Sequence, residues 1–66
     1  MQIHLNGNNH EVADGATLAA LVAQLGLEQR RLAIEVNEEL VPRTRHAVHR
    51  LSPGDQVEIV HAIGGG

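Results

Sequence analysis

Few residues in this chain can do chemistry, and the most pointed of them have no side chains. The sequence ends HAIGGG, so Gly64, Gly65 and Gly66 stand together at the terminus. Glycines pass through a groove too narrow for any Cβ, and they lose much backbone entropy if they are ever ordered. Beyond them lies one reactive group, the carboxylate of Gly66. Extended, Ala62 to Gly66 reach roughly 17 Å at about 3.4 Å per residue. That length can enter another protein's active site while the folded part stays outside. The bland alternative for a bare GGG is a frayed end or an expression remnant.

The other candidates point away from catalysis. There is no cysteine, and the hydroxyl residues are Thr17, Thr44 and Ser52, none with an evident base beside it. Acyl transfer needs nucleophile, base and pocket together, and a small domain with one helix has little room for a closed pocket. GGG is not followed by a helix, so no helix N-terminus cradles phosphate. Five histidines invite a metal, but His46 and His49 are three apart, no cysteine assists, and no spacing matches a zinc motif. Both are expected to be solvated loop residues. Arg43, Arg45 and Arg50 read first as a solvated loop, with an acidic partner as the alternative.

Composition narrows the class. The 66 residues are expected to make a single domain, 1–66, with 64–66 as a flexible tail. A chain this short buries only about 60% of its unfolded surface, so modest stability is expected. Without Phe, Tyr or Trp the core falls to Leu, Ile, Val, Ala and Met1, yet 42% of residues are hydrophobic, which argues against disorder. The net charge is −3 and the pI about 5.9. An acidic chain without aromatics is a poor nucleic-acid binder. No apolar run approaches the roughly 20 residues that span a membrane, and MQIHLNGNN does not read as a signal peptide. A cytoplasmic protein is the expectation. All five basic residues are arginine, so the chain offers no lysine for an isopeptide bond to itself.

These residues need elements to position them. Residues 1–5, MQIHL, alternate as a strand, NGNN at 6–9 is rich in turn residues, and HEVAD at 10–14 is a second short strand around Val12. Thr17 can cap a helix over 18–25 whose apolar stripe is Leu18, Leu21, Val22 and Leu25, and Gly26 can close it. LAIEVN at 32–37 alternates again. Glu38 and Glu39 make a turn into Leu40-Val41, an edge strand stopped by Pro42. Val48 and Leu51 are expected to dip into the core from an irregular 43–51 segment. SPGD at 52–55 is a tight turn, and QVEIVHAI at 56–63 is the last strand. The order β-β-α-β-β-β gives an α+β fold, a mixed sheet with one helix on one face and the first and last strands side by side at its centre. Val57 and Ile59 then face the helix. Glu58, Val60 and Ala62 face the open side, where Val60 and Ala62, with Ile63 as anchor, form a docking patch for a partner.

Joined to this fold, MQIHLNG, TLAALVAQLGL, LAIEVNEELVPR, PGDQVEIV and HAIGGG resemble the sulfur carrier family of thiamine biosynthesis, the ThiS family of ubiquitin-like proteins. The resemblance covers the whole chain. Two positions depart from it: Glu38 stands where the family often has glycine, and the loop 43–49 lacks a frequent aromatic. The resemblance implies the β-grasp fold and a carrier rather than an enzyme. It implies that Gly66 is adenylated by an E1-like ThiF-type enzyme using Mg-ATP, with no cofactor bound by this chain. A donor such as a cysteine desulfurase would supply the sulfur, and the Gly66 thiocarboxylate would deliver it to a ThiG-type thiazole synthase. Gly64 and Gly65 would thread into the partner sites. Two alternatives share the fold, the small subunit of molybdopterin synthase and a ubiquitin-like modifier of other proteins. A binding or structural module with an inert tail is a third.

Overall fold

The computed structural model describes residues 1–61, in which five strands and one helix follow the order β-β-α-β-β-β. Strands β1 (Gln2–Leu5) and β2 (Asn8–Glu11) form an antiparallel hairpin. Its turn is only Asn6-Gly7, at φ 49° and 84°. Two consecutive left-handed residues give the mirror-image turn that matches strand twist. Asn8 and Asn9 therefore belong to β2 rather than to the turn. Val12 lies just past the end of β2 and is buried, its N–H donated to the Met1 carbonyl at 2.9 Å.

Helix α1 spans Leu18–Gln24. Thr17 caps it as expected, its Oγ1 accepting the Ala20 N–H at 3.1 Å. Gly26, at φ 72°, closes it. The Gly26 N–H reaches the Ala23 carbonyl and the Leu27 N–H the Val22 carbonyl, both at 3.0 Å, which is the paired closure that a left-handed glycine permits. Leu18, Leu21 and Val22 are buried, while Leu25, at the cap, is half-buried.

The helix lies against a five-stranded sheet of order β2-β1-β5-β3-β4, where β3 is Leu32–Val36, β4 Glu39–Val41 and β5 Gln56–His61. Parallel β1 and β5 sit side by side, and the other pairs are antiparallel. The β3–β4 turn is Asn37-Glu38, at φ 51° and 70°. It falls one residue earlier than expected, and Glu39 opens β4. Core side chains from both layers meet at Ile3, Leu18, Leu21, Ile34 and Val57, each under 2% exposed. The arrangement is a β-grasp.

The segment after β4 corrects one expectation. Leu51 is buried, but Val48 is 64% exposed. After a 3-10 turn at Arg43–Arg45, the carbonyls of His46 and His49 accept the N–H groups of Ala19 and Leu18 at 2.9 and 3.0 Å. The segment thus serves the start of α1 through its backbone, and that geometry turns the Val48 side chain out.

Candidate functional site

The last strand carries the alternation that the site depends on. Val57 and Ile59 are buried beneath α1, whereas Glu58 is exposed and Val60 is 56% exposed on the open face. That phase is the one read from the sequence. Ala62, Ile63, Gly64, Gly65 and Gly66 lie outside the described residues.

Neighbouring strands extend the face. Glu35 of β3 stands opposite both Glu58 of β5 and Leu40 of β4, and Ala33 stands opposite Val60. Leu40 is 66% exposed. The open face therefore holds an acidic pair, Glu35 and Glu58, flanked by apolar Ala33, Leu40 and Val60. Glu35 and Leu40 were not anticipated as part of it. The signal was available for Glu35, because β3 alternates and residues out of phase with Leu32, Ile34 and Val36 must face away from the helix. For Leu40 no such signal existed, since a three-residue edge strand is too short to show its phase.

Asn6 adds to the pairing of β5 with β1 and β3. Its main-chain N–H donates to the Val57 carbonyl at 2.9 Å, its Oδ1 accepts the Ile59 N–H at 2.8 Å, and its Nδ2 donates to the Ile59 carbonyl at 3.3 Å. The side-chain amide thus continues the β1 ladder after the backbone has turned away, fixing β5 two residues before its described end.

Several polar residues outside this face are committed to structure. His46 Nε2 donates to the Val41 carbonyl at 2.9 Å, so this histidine is half-buried and bonded rather than solvated. His10 Nε2 donates to Gln24 Oε1 at 2.7 Å, while Gln24 Nε2 donates to the Glu11 carbonyl at 3.3 Å. Thr17 is occupied as the helix cap, and Ser52 and Asp55 close their own turn, the Ser52 N–H donating to Asp55 Oδ2 at 2.8 Å. Among the described residues no three His, Cys, Asp or Glu side chains converge as metal ligands. The pKa of the Met1 ammonium is raised, first by a hydrogen bond to Asp14 and then by the charge of Glu11. Among the described residues no helix is long and apolar enough to cross a membrane.

The model of the ThiS family matches residues 3–66. The chain is 42% identical over all 66 residues to a thiazole synthase of Magnetococcus marinus, and it spans only 20% of that protein's length. It is 36% identical to the sulfur carrier protein ThiS of Escherichia coli, with both chains covered completely. Among solved structures, the crystal structure of the thiamine biosynthesis protein ThiS from Geobacter metallireducens superposes with a TM-score of 0.86 at 28% identity, over the whole of both chains.

Proposed function

The chain belongs to the ThiS family, and from that premise we propose that it is a sulfur carrier for thiazole formation in thiamine biosynthesis. The observation that carries this reading is the end-to-end match to the Escherichia coli carrier, 36% over 66 residues of each chain. The reactive group proposed is the Gly66 carboxylate, with Gly64 and Gly65 as the part that threads into partner sites.

The chemistry follows from what a carboxylate lacks. Its negative charge repels nucleophiles, so it must be activated. A carboxylate oxygen of Gly66 attacks the α-phosphorus of Mg-ATP on an E1-like, ThiF-type enzyme, and pyrophosphate leaves. The persulfide sulfur of a donor such as a cysteine desulfurase attacks the acyl carbon of the adenylate, and AMP leaves. The acyl disulfide so formed yields the Gly66 thiocarboxylate when a thiol reduces its S–S bond. A thiazole synthase then consumes that sulfur, a partner supported by the relative that bears this name. The chain itself contributes a carried group and a docking face, and the partners contribute catalysis.

Docking is assigned to Glu58, Val60, Ala62 and Ile63. Val60, 56% exposed on the open face, is the described residue on which this rests most. Val60→Arg should leave the melting curve nearly unchanged and raise the KM for the activating enzyme. An unaltered KM would remove Val60 from the interface.

The decisive experiment is at the tail. Deleting Gly66 withdraws the carboxylate by about 3.5 Å, and reaction needs atoms held within about 3–3.5 Å. Gly65→Val adds a branched side chain that a narrow channel excludes. Both variants should fold normally and lose pyrophosphate release with the activating enzyme and Mg-ATP. The native chain should release pyrophosphate and, with a sulfur donor, gain in intact mass the difference between sulfur and oxygen. Equal activation of the shortened chain would end the carrier reading.

A further inference from the structure

An acyl adenylate at Gly66 is an electrophile, and any nucleophile that meets its acyl carbon before the persulfide does consumes it. The chain itself carries few such groups. It has no lysine and no cysteine, and its five basic side chains are arginines, which stay protonated. The Thr17 hydroxyl is engaged as the helix cap. Those of Thr44 and Ser52 are weak nucleophiles without a base to activate them. An acyl group taken up by a histidine would be lost again to water. One group remains that could form a lasting bond, the α-amine of Met1.

That amine is held by three partners. It donates to the Val12 carbonyl at 2.6 Å, and it stands 3.2 Å from Asp14 Oδ1 and 3.5 Å from Glu11 Oε2. An ammonium has three N–H donors, so each has an acceptor nearby. Only the neutral amine owns the lone pair that attacks carbon, and the hydrogen bond to Asp14, with the charge of Glu11, favours the protonated form. Position matters as well. Strands β1 and β5 run parallel, with His4 opposite Gln56. Met1 therefore lies behind the level of Gln56 and His61 ahead of it, roughly 26 Å apart along the sheet at about 3.3 Å per residue. Residues 62–66 span roughly 17 Å even when extended. The amine that a Gly66 adenylate can meet is thus that of another copy.

We propose that Glu11 and Asp14 guard the Met1 amine against acylation by the activated Gly66 of a second copy, and so keep the carrier from being joined head to tail. The step they suppress is amide formation. The amine nitrogen of one copy attacks the Gly66 acyl carbon of another, the bond from that carbon to the phosphate oxygen breaks, AMP leaves, and the nitrogen gives a proton to water. A persulfide on a partner is untouched by this guard, so the two carboxylates favour sulfur over nitrogen at the activated end. They act through the amine and not on the reacting atoms. The inference rests on the carrier function proposed above, since without an adenylate there is nothing to guard against.

The test compares the native chain with Asp14→Asn and with the Glu11→Gln/Asp14→Asn double variant. Both positions are exposed and both changes keep side-chain shape, so circular dichroism should show all three folded at the assay temperature. The first measurement needs no partner. Acetylation of the amine by an N-hydroxysuccinimide ester should run about twofold faster or more in the double variant, and the pH at which it reaches half its limiting rate should fall. Equal rates and equal midpoints would overturn the guard and leave the carrier reading standing. The second measurement adds the activating enzyme of the same organism and Mg-ATP, without a sulfur donor. All three chains should release pyrophosphate, and glycinamide, a free α-amine, should be captured at Gly66 of each. Intact mass should show a species of two chains less one water, linked from Gly66 to Met1, forming about twofold faster or more in the double variant than in the native chain. The same yield from both would overturn the proposal. So would pyrophosphate release with no capture of glycinamide, because the enzyme would then shield the adenylate by itself. If the native chain releases no pyrophosphate, the carrier reading is wrong and this inference goes with it.

Discussion

Two residues with left-handed backbones set much of the geometry, and they are not equivalent. Asn6, at φ 49°, is a residue type that tolerates this region, and its side chain serves Ile59 twice. Asn6→Ala should cost about 1–3 kcal/mol, because the part-buried Ile59 N–H loses its acceptor. Amide exchange at Ile59, followed by NMR, should quicken more than at Val57, whose carbonyl is bonded by the main chain of residue 6. Uniform exchange along β5 would show that Asn6 clamps nothing. Glu38, at φ 70°, is the contrary case, since a long L-residue there carries strain. Placing it left-handed costs about 1–2 kcal/mol, more than the unfolded-state freedom that glycine would add, about 0.4–1 kcal/mol. Glu38→Gly should therefore raise the urea midpoint, by a gain of up to about 1.6 kcal/mol. A lower midpoint would mean that the Glu38 side chain supports the turn in a way its backbone does not reveal.

At the scale of the element, α1 is short and depends on its ends and its inner stripe. A seven-residue helix is far below the length that holds in water by itself. Thr17→Ala should cost about 1 kcal/mol by freeing the Ala20 N–H. Leu21, 1% exposed at the centre of the stripe, should cost about 2–5 kcal/mol as Leu21→Ala, through lost transfer energy and the cavity left behind. In a domain this small that is a large part of the total. Denaturant titrations give both values. A smaller loss for Leu21→Ala than for Thr17→Ala would contradict a helix held on by its buried face.

For the whole molecule, the Met1 ammonium contributes a pH-dependent part of alkaline stability. The Met1 ammonium donates to the Val12 carbonyl at 2.6 Å and pairs with Asp14 at 3.2 Å and Glu11 at 3.5 Å, drawing the start of β1 to the chain beyond β2. Its folded pKa is raised above 8.0. The stabilisation is therefore complete below pH 8 and is lost as pH rises through the raised folded value. The sequence has no lysine, tyrosine or cysteine, so no other side chain titrates just above that point. The urea midpoint should be level from neutrality to pH 8 and fall beyond it, and acetylating the amine should flatten the curve. A native midpoint that stays level to pH 10 would refute this account.

The periodic features were legible in the sequence. Alternation in 32–37 and 56–61 set which face each residue takes, Thr17 and Gly26 marked the helix ends, and Leu18, Leu21 and Val22 marked its inner side. These are local consequences of backbone period and of a single residue's permitted φ, so adjacent residues determine them. The family was legible for a similar reason, since its signature lies in contiguous stretches. Turn boundaries slipped by one or two residues, at Asn8 and at Glu39, because several neighbouring polar residues suit a turn and strand register chooses among them. Tertiary structure alone decided the rest. Val48 is as apolar as Leu51, but the segment's carbonyls are required at the start of α1, and meeting those N–H groups leaves room inside for only one of the two. Leu40 and Glu35 joined Val60 and Glu58 on one face through cross-strand pairing between residues far apart in the chain. Asn6 reached Ile59 across a gap of 53 positions, a contact that no local pattern encodes, because its partner is adjacent only once β1 and β5 lie side by side.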